Sequence, residues 1–233
     1  MLISLLLLLI LAILSLTFKV FDFKGTMMAL FVGVFVTFLG SLEWLILMLV
    51  FVVASFIATK AWFRKKASMH LQEGKGGERK TSNVAYAAVV GLLITLIHGF
   101  EPMFSAHLFE LFAISFSVIA ADTFASEIGV LDSRVWLITN FKRVKRGING
   151  GVSVTGEFAA LLGGFVMGIS YSILAFHSLN LLPIIYVAVA GFVGCQIDSL
   201  LGSLFENRGK LNKGQVNLLA SFITVAAYAA ISV

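Results

Sequence analysis

The amino-acid sequence predicts an all-α fold, a polytopic transmembrane helical bundle of about eight spans with both termini outside. Three observations carry this expectation. Of the 233 residues, 59% are apolar and 12% are charged, whereas a soluble domain has about 45–50% apolar and about 25% charged residues, so this composition cannot clothe a water-facing surface. The apolar residues gather in eight blocks, 2–18, 25–40, 43–59, 84–100, 104–121, 152–175, 181–200 and 216–233, most of them within the roughly 17–25 residues a spanning helix uses. All 17 Lys and Arg fall in the four alternate loops after blocks one, three, five and seven, and the positive-inside rule makes those loops cytoplasmic.

Taken in order, the first block has no basic residues ahead of it and no small-x-small cleavage site before Lys19, so it reads as a retained helix. The second is short and the fourth marginal, yet removing either would scatter the basic loops over both faces. Block six carries a stripe of small residues, Gly156, Gly163, Gly164 and Gly168, and block seven carries Gly191, Gly194, Asp198 and Gly202 at helical spacing. Such stripes let helices approach closely, which ordinary packing also uses. The blocks leave no segment for a soluble fold. Residues 1–233 therefore read as one integral-membrane domain with cytoplasmic loops at 60–83, 122–151 and 201–215.

The net charge of +5 belongs to this basic rim, and with most of the 22 Phe inside apolar blocks no nucleic-acid partner is expected. Lone Cys195 lies in an apolar run and reads as a small buried hydrophobe. His70, His98, His107 and His177 show no metal-ligand spacing.

Carboxylates within apolar blocks are costly and count as functional candidates. Asp122 ends block five, Glu157 lies early in block six and Asp198 late in block seven, so three helices bring acids to similar depth on the cytoplasmic side. Glu127 and Asp132 follow in the adjoining loop, and up to five carboxylates could meet a ligand there. Glu110, toward the outside of block five, reads either as an interior hydrogen-bonding group or as a ligand. Asp22, Glu73, Glu78 and Glu206 lie in basic loops and Glu43 and Glu101 in external turns, where solvation or pairing is expected.

Lys142, Arg143, Lys145 and Arg146 lead into Gly147-Ile148-Asn149-Gly150-Gly151 and then Ser153 at a helix start. A glycine turn opening a helix presents backbone N–H groups and a helix dipole to phosphate. The spacing is not that of a Walker A loop. Read alone, the segment is equally a basic juxtamembrane loop with a capping serine. Beside several carboxylates it suits Mg²⁺-nucleotide chemistry, since Mg²⁺ takes one or two carboxylates plus substrate phosphates.

Three blocks, Ala121-Asp122-Thr123-Phe124-Ala125-Ser126-Glu127-Ile128-Gly129, Asn149-Gly150-Gly151-Val152-Ser153 with Gly156, and Asp198-Ser199-Leu200-Leu201-Gly202, resemble the integral-membrane family of plant phytyl-phosphate kinase and eukaryotic transmembrane protein 19. Weaker likeness covers Glu78-Arg79 with Asn83, and Val216-Asn217. The resemblance implies a kinase that uses CTP and Mg²⁺ to convert a prenyl monophosphate, such as phytyl or geranylgeranyl phosphate, into its diphosphate at the cytoplasmic face of the cell membrane. It gives metal or catalytic roles to Asp122, Glu127 and Asp198 and makes Asn149, Gly150, Gly151 and Ser153 the phosphate loop; the common depth of the acids adds Glu157 to Asp122 and Asp198 as metal ligands, and the four basic residues join the phosphate loop. Lys213-Gly214 stands where the family pattern has an Asn-Asp pair, and Ile148 where Thr is common. The implied partners are the prenyl-phosphate lipid, the nucleotide and the bilayer, with a homo-oligomer an open prospect. Lipid cytidylyl transfer, prenol phosphorylation, transport and a non-catalytic scaffold are the alternatives.

Overall fold

In hydrocarbon every backbone N–H and C=O must be satisfied within the segment, which makes each apolar block a helix. The computed structural model describes residues 2–74, 76–79, 81–101 and 105–232. Its elements are α1 (Leu2–Phe18), α2 (Phe23–Leu39), α3 (Leu42–Lys60), α4 (Phe63–Ser68), α5 (Thr81–Phe100), α6 (Ser105–Gly129), β1 (Val135–Leu137), β2 (Arg143–Val144), β3 (Gly151–Val152), α7 (Val154–Phe176), α8 (Leu181–Leu204), a 3-10 turn at Glu206–Arg208, and α9 (Lys213–Ile231). Each of the eight apolar blocks is thus a helix, and the molecule is an all-α membrane bundle. Six of these helices, α3 and α5 to α9, are long and apolar enough to cross a membrane. Helices α1 and α2 have 17 residues each, about 25 Å at 1.5 Å per residue against a hydrocarbon core of about 30 Å.

Helix α6 is the axis of the bundle, packed against α3, α5, α7, α8 and α9. Phe112, Ala113, Ile114, Ala120 and Ala121 along it are fully buried. Trp44 of α3 stacks on Phe109 with centroids 5.4 Å apart, and Phe112 and Phe116 meet at 4.9 Å. The small-residue stripes bring α7 and α8 onto this axis. A Cβ at Gly163 would stand 2.8 Å from the Ala120 carbonyl oxygen, and one at Gly164 2.7 Å from that of Ala188. Ser117 Oγ donates to the Val187 carbonyl (2.9 Å) and Ser221 Oγ to that of Ser115 (3.3 Å), tying α6 to α8 and α9 inside the bundle. Glu110 is also interior, accepting from Tyr228 Oη at 2.9 Å.

Two departures bear on the site. Helix α6 runs to Gly129 instead of ending near 121, so Asp122 and Glu127 are helical residues and not loop residues. Buried Phe124 explains the extension, because it continues the inward face past the last apolar run. The loop after α6 holds a small antiparallel sheet of order β2-β1-β3, with Trp136 opposite both Arg143 and Val152.

Candidate active site

The four basic loops meet at one end of the bundle. The α1–α2 turn pairs with the segment before α5 through a parallel bridge between Phe21 and Arg79, with Arg79 N–H on the Val20 carbonyl at 3.1 Å. Arg146 Nη1 donates to Met69 Sδ at 2.9 Å, and Asn207 Nδ2 to the Asn149 carbonyl at 2.8 Å. Between these loops and the ends of α6, α7, α8 and α9 lies a cleft of about 320 Å³.

The cleft is lined by Asp122, Glu127, Glu157 and Asp198 and by the whole turn Gly147 to Gly151 with Ser153. Sequence reasoning named all of these except Gly147 and Ile148 as site residues, and helices separated by tens of residues bring them together. Asp122 and Asp198 are half-buried, with their carboxyl groups in hydrogen-bonding range of each other. Two ionised carboxylates this close repel, and a shared cation removes the repulsion. With its amide nitrogen facing inward, Asn217 of α9 donates to Asp198 Oδ2 and to the Lys213 carbonyl, both at 3.0 Å. Lys213, one helical turn before Asn217, has Asp122, Glu73 and Asp198 as its oppositely charged neighbours and Arg79 as a like one. Beside Gly214, which stands where the resemblance has an acid, Lys213 therefore sets an ammonium against the carboxylate pair.

Glu127 is held differently. Its Oε2 pairs with Lys66 Nζ, which also donates to the Thr59 carbonyl at 2.9 Å; Lys66 is fully buried and Glu127 nearly so. Glu157 accepts from Gln196 Nε2 at 2.9 Å. Among the described residues no group of three or more His, Cys, Asp or Glu is set to hold a metal ion by itself, and Glu157 lines the same cleft as Asp122 and Asp198. Asp132 does not line the cleft; the Arg134 backbone N–H, and after it the Thr155 hydroxyl, hold its carboxyl below the usual range.

Lys142, Arg143, Lys145 and Arg146 do not line the cleft either. They follow the β1–β2 turn, where Lys142, Arg143 and Lys145 are exposed and Arg146 is turned to Met69. Ser153 caps α7, accepting from Gly156 N–H at 3.1 Å and donating to the Gly129 carbonyl at 3.3 Å. Gly150 has φ +74°, and a Cβ there would meet the Ser199 carbonyl oxygen at 2.5 Å, so the turn rests directly on α8. Cys195 is buried at the cleft wall.

Sequence reasoning missed Gln72, Glu73, Glu206 and Lys213 as lining residues. Glu73 and Glu206, expected to be solvated or paired, face the cleft, with Glu73 accepting from Asn83 at 3.1 Å. The Gln72 Oε1 is buried without a hydrogen-bond partner. The spacing of Lys213 and Asn217, four apart at a helix start, was the one available signal, because residues four apart share a face.

A family model described as an integral membrane protein, DUF92, matches residues 6–225. The chain is 27% identical over 224 residues to an uncharacterized membrane protein of Methanocaldococcus jannaschii, covering 95% of this chain and 90% of that one. It is 32% identical over 185 residues to the protein PGR of Arabidopsis thaliana, 70% of this chain and 64% of the relative. It is 30% identical over 140 residues to the chloroplastic protein VTE6 of the same plant, 55% of this chain and 42% of the relative. No solved structure matches the chain.

Proposed function

The chain belongs to the DUF92 family of integral membrane proteins, and from that premise we propose that it is a membrane-embedded lipid kinase. It transfers the γ-phosphate of a nucleoside triphosphate, CTP by resemblance, to a prenyl monophosphate, giving the diphosphate at the cytoplasmic face of the cell membrane. One observation carries the reading most. A single cleft at the basic end of the bundle unites the Asp122–Asp198 pair with a glycine turn opening a helix. The match to plant relatives supports the same reading as the motif resemblance.

The residues present suit Mg²⁺. Asp122 and Asp198 supply two facing carboxylates, Gln72 Oε1 adds an unpartnered acceptor in the same cleft, and Mg²⁺ completes such a set with phosphate oxygens and water. Bound there, the ion would neutralise charge on the donor phosphates. Lys213 offsets the remaining negative charge of the pair. The first N–H groups of α7 and the turn before it face anionic oxygens. An oxygen of the lipid phosphate attacks the γ-phosphorus, the bond to the bridging oxygen of the β-phosphate breaks, and the nucleoside diphosphate leaves with that electron pair. A phosphate acceptor is already anionic, so the transfer needs no general base.

The test is transfer of labelled γ-phosphate from CTP, and from ATP in parallel, to geranylgeranyl and phytyl monophosphates in detergent with Mg²⁺. Labelled lipid diphosphate that is absent with Asp122→Asn is the expected result. No transfer to either monophosphate overturns the kinase reading, and release of pyrophosphate instead of nucleoside diphosphate makes the protein a cytidylyltransferase.

A further inference from the structure

A second cavity system starts where the first ends. The cleft shares Glu73, Asp122, Glu127 and Lys213 with a smaller polar pocket, and that pocket also contains Arg79 and Asn83. Arg79 and Asn83 in turn line an apolar pocket between α2, α3 and α5. Phe21, Met48 and Val52 carry this pocket into an apolar groove of about 230 Å³ bounded by α1, α2 and α3. The groove lies between α3 and the packed pair of α1 and α2. Its walls are aliphatic and aromatic, with only Ser15 and Thr26 as polar members, and these satisfy each other at 2.9 Å.

Arg79 stands at the junction. Its backbone is fixed by the bridge to Phe21, and its guanidinium donates to Thr123 Oγ1 at 3.2 Å, one residue from Asp122 in sequence. The ion pairs among the described residues, Lys66 with Glu127 and Arg134 with Asp132, do not include it. A guanidinium offers five donors suited to two oxygens of one phosphate, so a single Thr partner leaves most of that capacity for a ligand.

Resting on the kinase reading above, we propose that Arg79 binds the head of the acceptor, a lipid monophosphate with a single hydrophobic chain, and that the chain runs from Arg79 past Phe21 into the groove between α1, α2 and α3. Charge complementarity at the mouth and continuity with the carboxylate cleft select this occupant. The pocket that holds Arg79 contains Asp122 and none of the glycine turn, so the acceptor and donor phosphates reach the carboxylate pair through different pockets. The apolar walls take the chain out of water without leaving the bilayer.

Two measurements test this. In the first, geranylgeranyl phosphate with a diazirine at the chain end is photolysed with the wild-type protein in lipid nanodiscs, without nucleotide, and the labelled peptides are sequenced. Label within residues 8–30 and 48–56, competed by prenyl monophosphate but not by bulk phosphatidylglycerol, is expected. Label on α7 or α8 alone, or label competed equally by phosphatidylglycerol, overturns the proposal, the latter marking the groove as a seat for ordinary bilayer lipid. In the second, binding of labelled geranylgeranyl phosphate and of geranylgeraniol is compared among folded variants. Arg79→Gln should weaken the phosphate by roughly 10- to 100-fold, the worth of hydrogen bonds to a charged group, and leave the alcohol unchanged. Ala29→Trp, which fills the groove, should weaken both. Binding of the phosphate to Arg79→Gln at wild-type strength overturns the proposal even if the kinase assay succeeds. The expected binding with no phosphoryl transfer instead refutes the kinase reading and leaves the subsite standing.

Discussion

At the scale of single residues, chemistry at the site depends on charge held against charge. Asp122 and Asp198 repel each other and share Lys213, whereas Glu127 and Lys66 form a buried ion pair at the edge of the cleft. These arrangements predict different mutational signatures. Asp122→Asn and Asp198→Asn remove a like-charge contact, so each should leave the thermal midpoint in detergent unchanged or raised while abolishing phosphoryl transfer. Lys66→Met strands a buried carboxylate and should cost about 3–5 kcal/mol, seen as a lowered midpoint, while Lys66→Met with Glu127→Leu should restore it. The turnover of that double variant decides what Glu127 does. Activity returning with stability, the expected result, makes Glu127 the anchor of α4. Activity still lost in a stable protein would make it catalytic, the role the family resemblance implies.

At the scale of elements, the glycine turn and α8 are one construction, and Gly150 is where they touch. Two glycines with similar backbone separate strain from contact. Gly209 has φ +67° and nothing within 4 Å of an added Cβ, while Gly150 has φ +74° and meets Ser199 and Ser203. Gly209→Ala should therefore cost about 1–2 kcal/mol of left-handed strain, and Gly150→Ala clearly more, with nucleotide binding lost as the turn lifts from α8; equal thermal midpoints would show that the contact does not matter. The apolar blocks were legible as helices because hydrocarbon permits little else, and Asp122, Glu157 and Asp198 stood out because an acid in an apolar run is expensive. The end of α6 was not legible, since Asp-Thr-Phe-Ala-Ser-Glu interrupts hydropathy although Phe124 keeps the inward face. Strands of two or three residues are too short to show alternation. Lys66, Arg79 and Lys213 were hidden among other cations, because charge counting cannot tell a buried ammonium or a junction guanidinium from a solvated one.

At the scale of the whole molecule, the function requires every piece of the site to face one compartment, and the contacts among the basic loops make that testable. The bridge between Phe21 and Arg79 and the bond from Asn207 to Asn149 hold the loops after α1, α3, α6 and α8 at one end, whether or not the 17-residue α1 and α2 cross the full bilayer. Glu101 and Leu179, both exposed, lie at the other end, between α5 and α6 and between α7 and α8. The chain has one cysteine, Cys195, only 3% exposed, so single substitutions can be read against a silent background. Cysteine at Lys19, Lys142 or Arg208 should resist a membrane-impermeant maleimide on intact cells and react in inverted vesicles, while cysteine at Glu101 or Leu179 should do the reverse. Uniform labelling of the first three from the cytoplasm, as the positive-inside rule requires, would bring the carboxylate cleft to the compartment that holds nucleoside triphosphates. Reaction of positions 19 and 142 from opposite faces would separate Arg79 from the Asp122–Asp198 pair and remove the geometry on which lipid phosphorylation at this site depends.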